Sequence, residues 1–172
     1  MIQKIEPEEG VLIIDLGQRT SVFSLFDQRG LVFNHYLRVA GNLFAQKVAE
    51  ALKVSFFEAE KIKVVEGFTA EKNRKVGEVL KKEIIPVIDE TKRIIQFYQK
   101  ATENQIKKII LAGGSSLLPG IAQHLQKKLG LKVENRDSLT KISKQNSLPR
   151  QEKRILSANV IGLTLRTLEK DF

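Results

Sequence analysis

The hydrophobic pattern of the first forty residues predicts three β-strands in sequence. The candidate strands are Val11–Ile14, Thr20–Phe26 and Leu31–Val39, all rich in aliphatic, β-branched or aromatic residues. A turn is predicted at Asp27–Gly30, and two such runs around a glycine-containing loop are typical of a hairpin. We therefore expect three antiparallel strands over residues 11–39, with the first hairpin folded at Gly17.

Helical spacing of apolar residues replaces the strand pattern after residue 41. The first predicted helix has its apolar residues at Leu43, Phe44, Val48, Ala51 and Leu52. Asn42 is the expected N-cap of this helix, and Ser55 that of a short second helix with the sequence FFEAEKIK. Residues 64–75 are polar, and we interpret them as a loop or a frayed helix start.

A long amphipathic pattern covers residues 76–100. Its apolar stripe comprises Leu80, Ile84, Val87, Ile88, Ile95 and Tyr98. Pro86 lies inside this pattern and lacks the N–H that a helix interior needs. We expect Pro86 either to kink one helix or to separate two.

The segment KKIILAGGSSLLPG predicts a strand, a glycine turn and a helix. Ile109–Ala112 has the composition of a strand buried on both faces, and Gly113 and Gly114 end it. Ser115, Ser116 and Pro119 suit the approach to a helix over Ile121–Leu129, which Gly130 ends. We expect positive φ, or close packing against a concave surface, at Gly113 or Gly114. Such a unit can place a ligand at the end of a strand, although any strand-to-helix turn can contain two glycines.

The remaining C-terminal residues predict less regular structure. Leu131–Val133 is a short strand candidate, and residues 134–154 predict a long surface loop. A last helix is expected over Ser157–Leu168.

Composition favours a globular protein that lacks disulfides. The chain has 172 residues, 42% of them hydrophobic, which suits one ordinary domain or two small lobes. There is no cysteine, so thiolate metal sites and cysteine nucleophiles are excluded. No apolar run approaches the ~18 residues that span a bilayer. The N-terminus lacks the apolar region of a signal peptide, and we expect a cytoplasmic location.

Basic charge is concentrated in the C-terminal third. Residues 101–172 contain thirteen basic and six acidic groups, whereas residues 1–50 contain five and six. Such an excess can attract nucleic acid, so a basic nucleic-acid-binding domain is one alternative function. The basic residues have almost no interleaved aromatics, which makes nucleic acid an unfavoured partner. His35 and His124 are isolated in sequence, which disfavours a zinc site.

Two glycine turns that follow apolar strands could bind a phosphorylated ligand. In the first, Gly17 exposes backbone N–H groups, Thr20 supplies a hydroxyl, and Asp15 could orient water on a bound Mg²⁺. In the second, Gly113-Gly114-Ser115 could present a flat surface to a sugar or purine. Asp15 can also be explained as an ordinary turn-starting aspartate. Neither turn is a Walker A loop, because no Gly-Lys-Ser/Thr follows.

The combined pattern resembles the second half of the actin and Hsp70 ATPase fold. It is most similar to the PilM family of type IV pilus assembly proteins, which is related to FtsA. The likeness covers residues 10–168 and is carried by four stretches: VLIIDLGQRTSVFSLF, LRVAGNLFAQKVAEAL with SFFEAEKIK, IILAGGSSLLPGIAQHLQKKLGLKV, and SANVIGLTLRTL. It implies an α/β fold, an RNase H-like ATPase lobe whose mixed sheet starts with three antiparallel strands, with a small helical subdomain.

The resemblance also implies domain limits. Residues 1–9 would be a leader and residues 10–168 the C-terminal actin-like lobe. Within that lobe, residues 10–41 and 101–168 would form the sheet subdomain and residues 42–100 the mainly helical one.

The resemblance further implies roles for residues of an ATP and Mg²⁺ site. Asp15, Gly17 and Thr20 would face the phosphates, with Asp15 holding the metal through water. Gly113, Gly114 and Ser115 would frame the adenosine, and Glu60 and Lys63 would approach the ribose or base. The two charged residues can equally be an ordinary exposed helical pair.

Two departures from the family pattern limit the expected activity. Ala40 replaces the first glycine of the Gly-Gly that precedes the first helix. The family's first half is absent, and with it the phosphate-1 loop and the subdomain that binds the tail of the inner-membrane protein PilN. The chain is therefore expected to be a fragment, a truncated product or half of a split protein.

We expect the chain to serve as a cytoplasmic scaffold without ATP turnover of its own. Its expected partners are PilN-like inner-membrane proteins, which would make it peripheral to the inner membrane, or a separate first lobe. A nucleotide-free interaction module with the same fold is the alternative.

Overall fold

A computed structural model describes residues 9–135 as one sheet with helices packed against it. The strands are β1 Glu9–Leu16, β2 Ser21–Asp27, β3 Gly30–Leu37, β4 Gln105–Ala112 and β5 Lys132–Asn135. The helices are α1 Gly41–Leu52, α2 Phe56–Glu66, α3 Arg74–Glu83, α4 Ile85–Thr102 and α5 Ile121–Leu129, with a 3-10 helix at Gly114–Leu117.

The sheet is mixed, with the strand order β3-β2-β1-β4-β5. The first three strands pair antiparallel, as the sequence predicted. β4 then pairs parallel to β1, and β5 pairs parallel to β4. Parallel pairing requires a long crossover, which α1 to α4 supply between β3 and β4. The predicted fold class is confirmed.

The neighbouring strands β1 and β4 contribute much of the hydrophobic core. Their side chains alternate between the two faces of the sheet, and alternate residues of each strand are completely buried. Leu12, Ile14 and Leu16 of β1 are completely buried, as are Ile109 and Leu111 of β4. The same cluster includes buried residues of α1, α3, α4 and α5. The apolar run of β4 therefore lies in an interior strand, between β1 and β5, and is buried as expected for a strand of this composition.

The helix starts show one wrong and one correct capping prediction. α1 begins at Gly41, with Ala40 rather than Asn42 at the N-cap position. The backbone N–H groups of Gly41 and Asn42 instead donate to carbonyl oxygens of the first hairpin turn, so no capping side chain is needed. Ser55 does cap α2, since its Oγ accepts a hydrogen bond from the Glu58 N–H at 3.3 Å. α2 continues through Glu66, so the predicted loop begins three residues later than expected.

Pro86 marks the start of a helix and not a kink within one. α3 ends at Glu83 and α4 begins at Ile85, with the proline in the first turn of α4, where its missing N–H costs nothing. The predicted stripe is confirmed as the inward face of this pair of helices, because Leu80, Ile84, Val87, Ile88 and Tyr98 are all buried. Ile94 is also buried, whereas Ile95 is only partly so.

The segment after α2 is fastened to the segment before α5. The Phe68 N–H donates to the Pro119 carbonyl at 2.6 Å. The ring of Phe68 packs on the ring of His124, with 5.3 Å between their centroids. These contacts join the predicted helical region to the sheet region, although the division at residues 42 and 100 stays a prediction.

The described residues end with β5, and several predictions concern residues outside them. β5 occupies Lys132–Asn135, so it begins one residue later than the predicted Leu131–Val133 and ends two residues later. The rest of the predicted loop, the helix at Ser157–Leu168 and the leader, except for Glu9, lie outside the described residues. Glu9 itself starts β1, and the limit of the leader stays a prediction. Within residues 9–135, no helix combines the length and apolar character needed to cross a membrane.

We predict that Ile88→Ala lowers the free energy of unfolding by about 2–5 kcal/mol, the usual cost of a large-to-small change in a core. Ile88 has only 4% of its surface exposed. Val65→Ala is the control, since Val65 is 69% exposed and should change stability by less than about 0.5 kcal/mol. Urea unfolding of both variants measures the difference, and equal midpoints would contradict the packing.

We predict that His124 makes the protein less stable as the pH falls below about 6.5. Burial, with smaller contributions from Lys128, Lys81 and Lys127, lowers the pKa of His124 below its ordinary value. The unfolded state therefore binds the proton more readily than the folded state. The stability that depends on neutral His124 is complete above about pH 6.5 and is lost as the pH falls. Unfolding free energies at pH 7.5 and 5.5 should differ less in His124→Leu than in the wild type. An identical pH dependence in both proteins would refute the prediction.

Candidate functional site

The two predicted glycine turns lie side by side at one end of the sheet. β1 and β4 are parallel neighbours, and Asp15 is paired with Ala112 in their register. Each strand ends within a residue of that pair, and each is followed directly by its glycine turn. Ligands of open α/β sheets bind outside the carboxyl ends of the strands, which is the position of these turns.

Gly113 allows the second turn to pack directly against the first. Its φ of 80° is unfavourable for residues with a side chain, and this confirms the expected positive φ. A Cβ atom at this position would lie 2.2 Å from Oδ1 of Asp15 and 2.6 Å from the carbonyl oxygen of Leu16. Only glycine fits here, and its absent side chain brings the backbone into contact with the Asp15 carboxylate.

The carbonyl oxygen of Gly17 joins three segments of the chain. It accepts hydrogen bonds from the Gly41 N–H at 3.1 Å and from the Ser115 hydroxyl at 3.2 Å. The turn itself is closed by the Gly17 N–H, which donates to the carbonyl of Thr20 at 3.1 Å. One carbonyl therefore connects the first turn to the start of α1 and to the second turn.

Lys63 connects α2 to the same cluster. Its ammonium group donates to the Gly41 carbonyl at 3.0 Å and to Oε2 of Glu60 at 2.7 Å. The Lys63 side chain is only 4% exposed, whereas that of Glu60 is 42% exposed. Lys63 thus holds α1 and α2 together, and the exposed part of the Glu60 carboxylate is the part that a ligand could reach.

Gly41 is a site residue that the sequence predictions missed. A Cβ atom on Gly41 would lie 2.7 Å from the Ser115 hydroxyl oxygen and 3.5 Å from the Lys63 ammonium nitrogen. A glycine between a strand and a helix can indicate close packing, but it is equally typical of an ordinary helix start, so the sequence did not identify Gly41 as a site residue. The substitution at Ala40 leaves this glycine in place.

The structure brings all the predicted site residues into one connected cluster but gives them different accessibility. Asp15, Gly17, Thr20 and Gly113 are partly exposed, and Gly114 is exposed. Ser115 is buried, with its hydroxyl bonded to the first turn. The side chains of Ser115 and Lys63 therefore position backbone groups, and the accessible surface is formed by the glycines, Asp15 and Glu60.

Acidic groups at this site are too few to enclose a metal ion. Within the described part of the chain, no group of three His, Cys, Asp or Glu side chains could hold one. A cation bound beside Asp15 would take most of its ligands from water or from a bound phosphate. Mg²⁺ binds in this manner more readily than most divalent ions.

Comparison with known proteins shows the family of this chain. The family model of the type IV pilus assembly protein PilM matches residues 3–168. The chain belongs to the PilM family. The predicted resemblance is therefore confirmed, and the match covers nearly the whole sequence.

Solved structures show the same fold. This PilM-family chain is similar to a PilM-PilN type IV pilus biogenesis complex, with a TM-score of 0.77 and 22% identity over 94% of the chain. It is also similar to MreB5 of Spiroplasma citri bound to AMPPNP, with a TM-score of 0.72 and 15% identity over 99% of the chain. The ethanolamine utilization protein EutJ from Carboxydothermus hydrogenoformans gives a TM-score of 0.54 and 22% identity over 72% of the chain.

The chain spans about half the length of these structures. The shares covered are 46% of the PilM chain, 56% of the MreB5 chain and 42% of the EutJ chain. The comparison with curated proteins gave no match.

We predict that Lys63→Met destabilises the protein by about 1–3 kcal/mol, because the Gly41 carbonyl loses its buried donor. Lys61→Met on the same helix is the matched control, since Lys61 is exposed and should have little effect. Chemical denaturation measures both. A Lys63→Met protein as stable as its control would show that the buried ammonium group does not hold α1 and α2 together.

Proposed function

We propose that this chain is the nucleotide-binding lobe of a PilM-family scaffold and that it binds ATP with Mg²⁺. The observation that carries the proposal is the contact between the two glycine turns, in which the Ser115 hydroxyl bonds to the Gly17 carbonyl. This contact holds the two glycine turns side by side, so a nucleotide could bind with its phosphates at the first turn and its adenosine at the second. MreB5, a protein of similar fold, was solved with the ATP analogue AMPPNP.

The proposed roles follow from the accessibility of each group. The Thr20 hydroxyl would donate to phosphate oxygens lying against Gly17, whose own N–H is bonded to the Thr20 carbonyl, and Asp15 would hold a hydrated Mg²⁺. Gly113 and Gly114 would lie against the adenosine, and Glu60 would accept hydrogen bonds from ribose hydroxyls. A bound Mg²⁺ would neutralise phosphate charge.

Lys63 and Ser115 have a different proposed role. Their polar atoms are committed to Gly41, Glu60 and Gly17. We propose that they hold the two turns and the start of α1 in position. The adenosine would then contact the neighbouring glycines and Glu60.

Binding by this chain alone should be weak, and hydrolysis should not occur. Phosphoryl transfer needs an in-line water and charge stabilisation around the γ-phosphate. The described turns would contact only one side of a ligand, and the chain spans about half the length of the similar PilM chain. A pocket normally buries most of a bound small molecule, which one lobe cannot do. A complementary first lobe should complete the cleft.

The proposed cellular role is that of a cytoplasmic scaffold in type IV pilus assembly or a related secretion machine. The similar PilM structure was solved as a complex with PilN. We propose a PilN-like inner-membrane protein as the partner, reached through the complementary half of the fold. The chain would then be peripheral to the inner membrane.

The second candidate function is a nucleotide-free interaction module with the same fold. It is favoured by Gln18 and Arg19, which are both exposed in the turn where phosphate would bind. Long side chains at these positions could obstruct a phosphate.

The test is titration of the ¹⁵N-labelled 172-residue protein with ATP and Mg²⁺, followed by amide NMR, which detects weak binding. We predict shifts at Gly17–Thr20 and Gly113–Ser115, without release of phosphate. Shifts at neither turn would favour the nucleotide-free module. Steady ATP turnover that is lost in Asp15→Ala would overturn the proposed one-sided site.

Two variants locate the adenosine part of the site. Gly114→Val adds bulk at an exposed position and should abolish the shifts while leaving the fold intact. Glu60→Gln should weaken binding, whereas Glu58→Gln, at an exposed position on the same helix, should not. Unchanged nucleotide affinity in both Gly114→Val and Glu60→Gln would refute the adenosine assignment.

A further inference from the structure

The outer edge of β3 has no strand beside it in residues 9–135. The strand order places β3 at the end of the sheet, and its sheet partner is β2. An edge strand presents a row of backbone N–H and C=O groups that another chain can pair with.

This edge lacks most of the features that prevent such pairing. Gly30–Leu37 contains no charged residue and no proline, whereas protected edges commonly use lysine or proline. One irregularity occurs at Val32, because Leu25 faces Phe33 while Phe26 faces Leu31. From Phe33 to Leu37 the pairing with β2 is regular, so this five-residue stretch can accept another strand.

Apolar side chains border the edge. Tyr36 is 58% exposed, and Phe97 of α4 is also 58% exposed. The ring of Phe97 lies beside that of Phe33, with 6.2 Å between centroids, and Phe33 lies equally close to His35. An added strand could therefore place its own apolar side chains against Phe97.

Three exposed arginines lie around this edge. Arg29 and Arg38 lie just outside the two ends of β3, and Arg93 lies one helical turn before Phe97. The side chains of Arg29 and Arg93 are 61% and 70% exposed, whereas those of their partners Asp27 and Glu90 are 2% and 8% exposed. Arg29 and Arg93 are therefore largely neutralised by ion pairs, whereas exposed Arg38 forms no ion pair within residues 9–135 and can meet an anionic ligand.

We propose that the β3 edge binds an extended segment of a partner protein in which acidic and apolar residues alternate. Main-chain hydrogen bonds to Phe33–Leu37 provide affinity, as in other proteins that add a peptide strand to a sheet. Alternate side chains of the segment point to opposite faces. Its apolar residues contact Phe97 on the face covered by α4, and its acidic residues point to the opposite face, on the side of Tyr36 and Arg38. This interaction is independent of the nucleotide site.

A second copy of the same chain is a poorer occupant. Gly30–Leu37 contains no acidic residue, so a second β3 strand offers no carboxylate to Arg38. Arg38 therefore favours an acidic segment over a second copy of this strand.

The test uses a fluorescein-labelled synthetic nonapeptide of alternating valine and glutamate with the full 172-residue protein. We expect saturable binding by fluorescence anisotropy, and slower hydrogen exchange at alternate amides of Phe33–Leu37. A peptide of equal length with lysine in place of glutamate should bind more weakly, and one with a central proline should not protect these amides. Equal binding of all three peptides, or no binding of the first, overturns the proposal.

Surface variants separate this edge from other apolar patches. Phe97→Ala and Arg38→Glu should each weaken binding about fivefold or more, because one removes an apolar contact and the other reverses a charge. Phe57→Ala is the matched control, since Phe57 on α2 is 81% exposed and should change affinity less than about twofold. Equal loss in the Phe57 variant would place the peptide elsewhere. Concentration-dependent dimers that dissociate on Leu31→Lys would assign the edge to self-association.

Discussion

The hydrogen bonds received by the Gly17 carbonyl are the interaction on which the candidate site depends. One donor is the first N–H of α1, and the other is the Ser115 hydroxyl, 98 residues away in sequence. A carbonyl oxygen has two lone pairs, so this single atom can satisfy both donors. The start of α1 and the turn after β4 are thereby held against the same hairpin. Lys63 extends the connection to α2, because its ammonium group donates to the carbonyl of Gly41, the residue whose N–H bonds to Gly17.

Because of this arrangement, backbone groups form most of the candidate site. Side chains are missing at Gly41 and Gly113 because each would collide with a polar atom of the site. The buried Lys63 and Ser115 serve the backbone, and a buried ammonium group is tolerated because both a carbonyl and a carboxylate accept its hydrogen bonds. The same contacts stabilise the fold and shape the ligand surface. Substitutions at these positions therefore affect stability and binding together, whereas Gly114 and Glu60 can be changed at the surface.

The two functional surfaces proposed for this PilM-family chain occupy different parts of one sheet. The glycine turns lie at the carboxyl ends of β1 and β4, near the middle of the strand order. The cationic and apolar surface lies along β3, at the margin of the sheet. The antiparallel strands β1 to β3 connect the two surfaces, because β1 contributes to the first and β3 forms the second. A protein that works as a scaffold can use such an arrangement to bind a ligand and a partner at the same time.

The sequence alone determined the elements and the family. Alternating and helical apolar spacing located the strands and helices, Pro86 marked a helix boundary, and the run Ile109–Ala112 indicated a central strand. These features depend on neighbours in the chain, whose periodicity and backbone restrictions can be read directly. Asn42 was wrongly predicted as a cap because the carbonyls that replace it come from a hairpin more than twenty residues earlier. Only the tertiary structure separated buried Lys63 from accessible Glu60, and only it revealed the need for glycine at position 41. Those distinctions arise from contacts between distant segments, and sequence spacing contains no information on which segments meet.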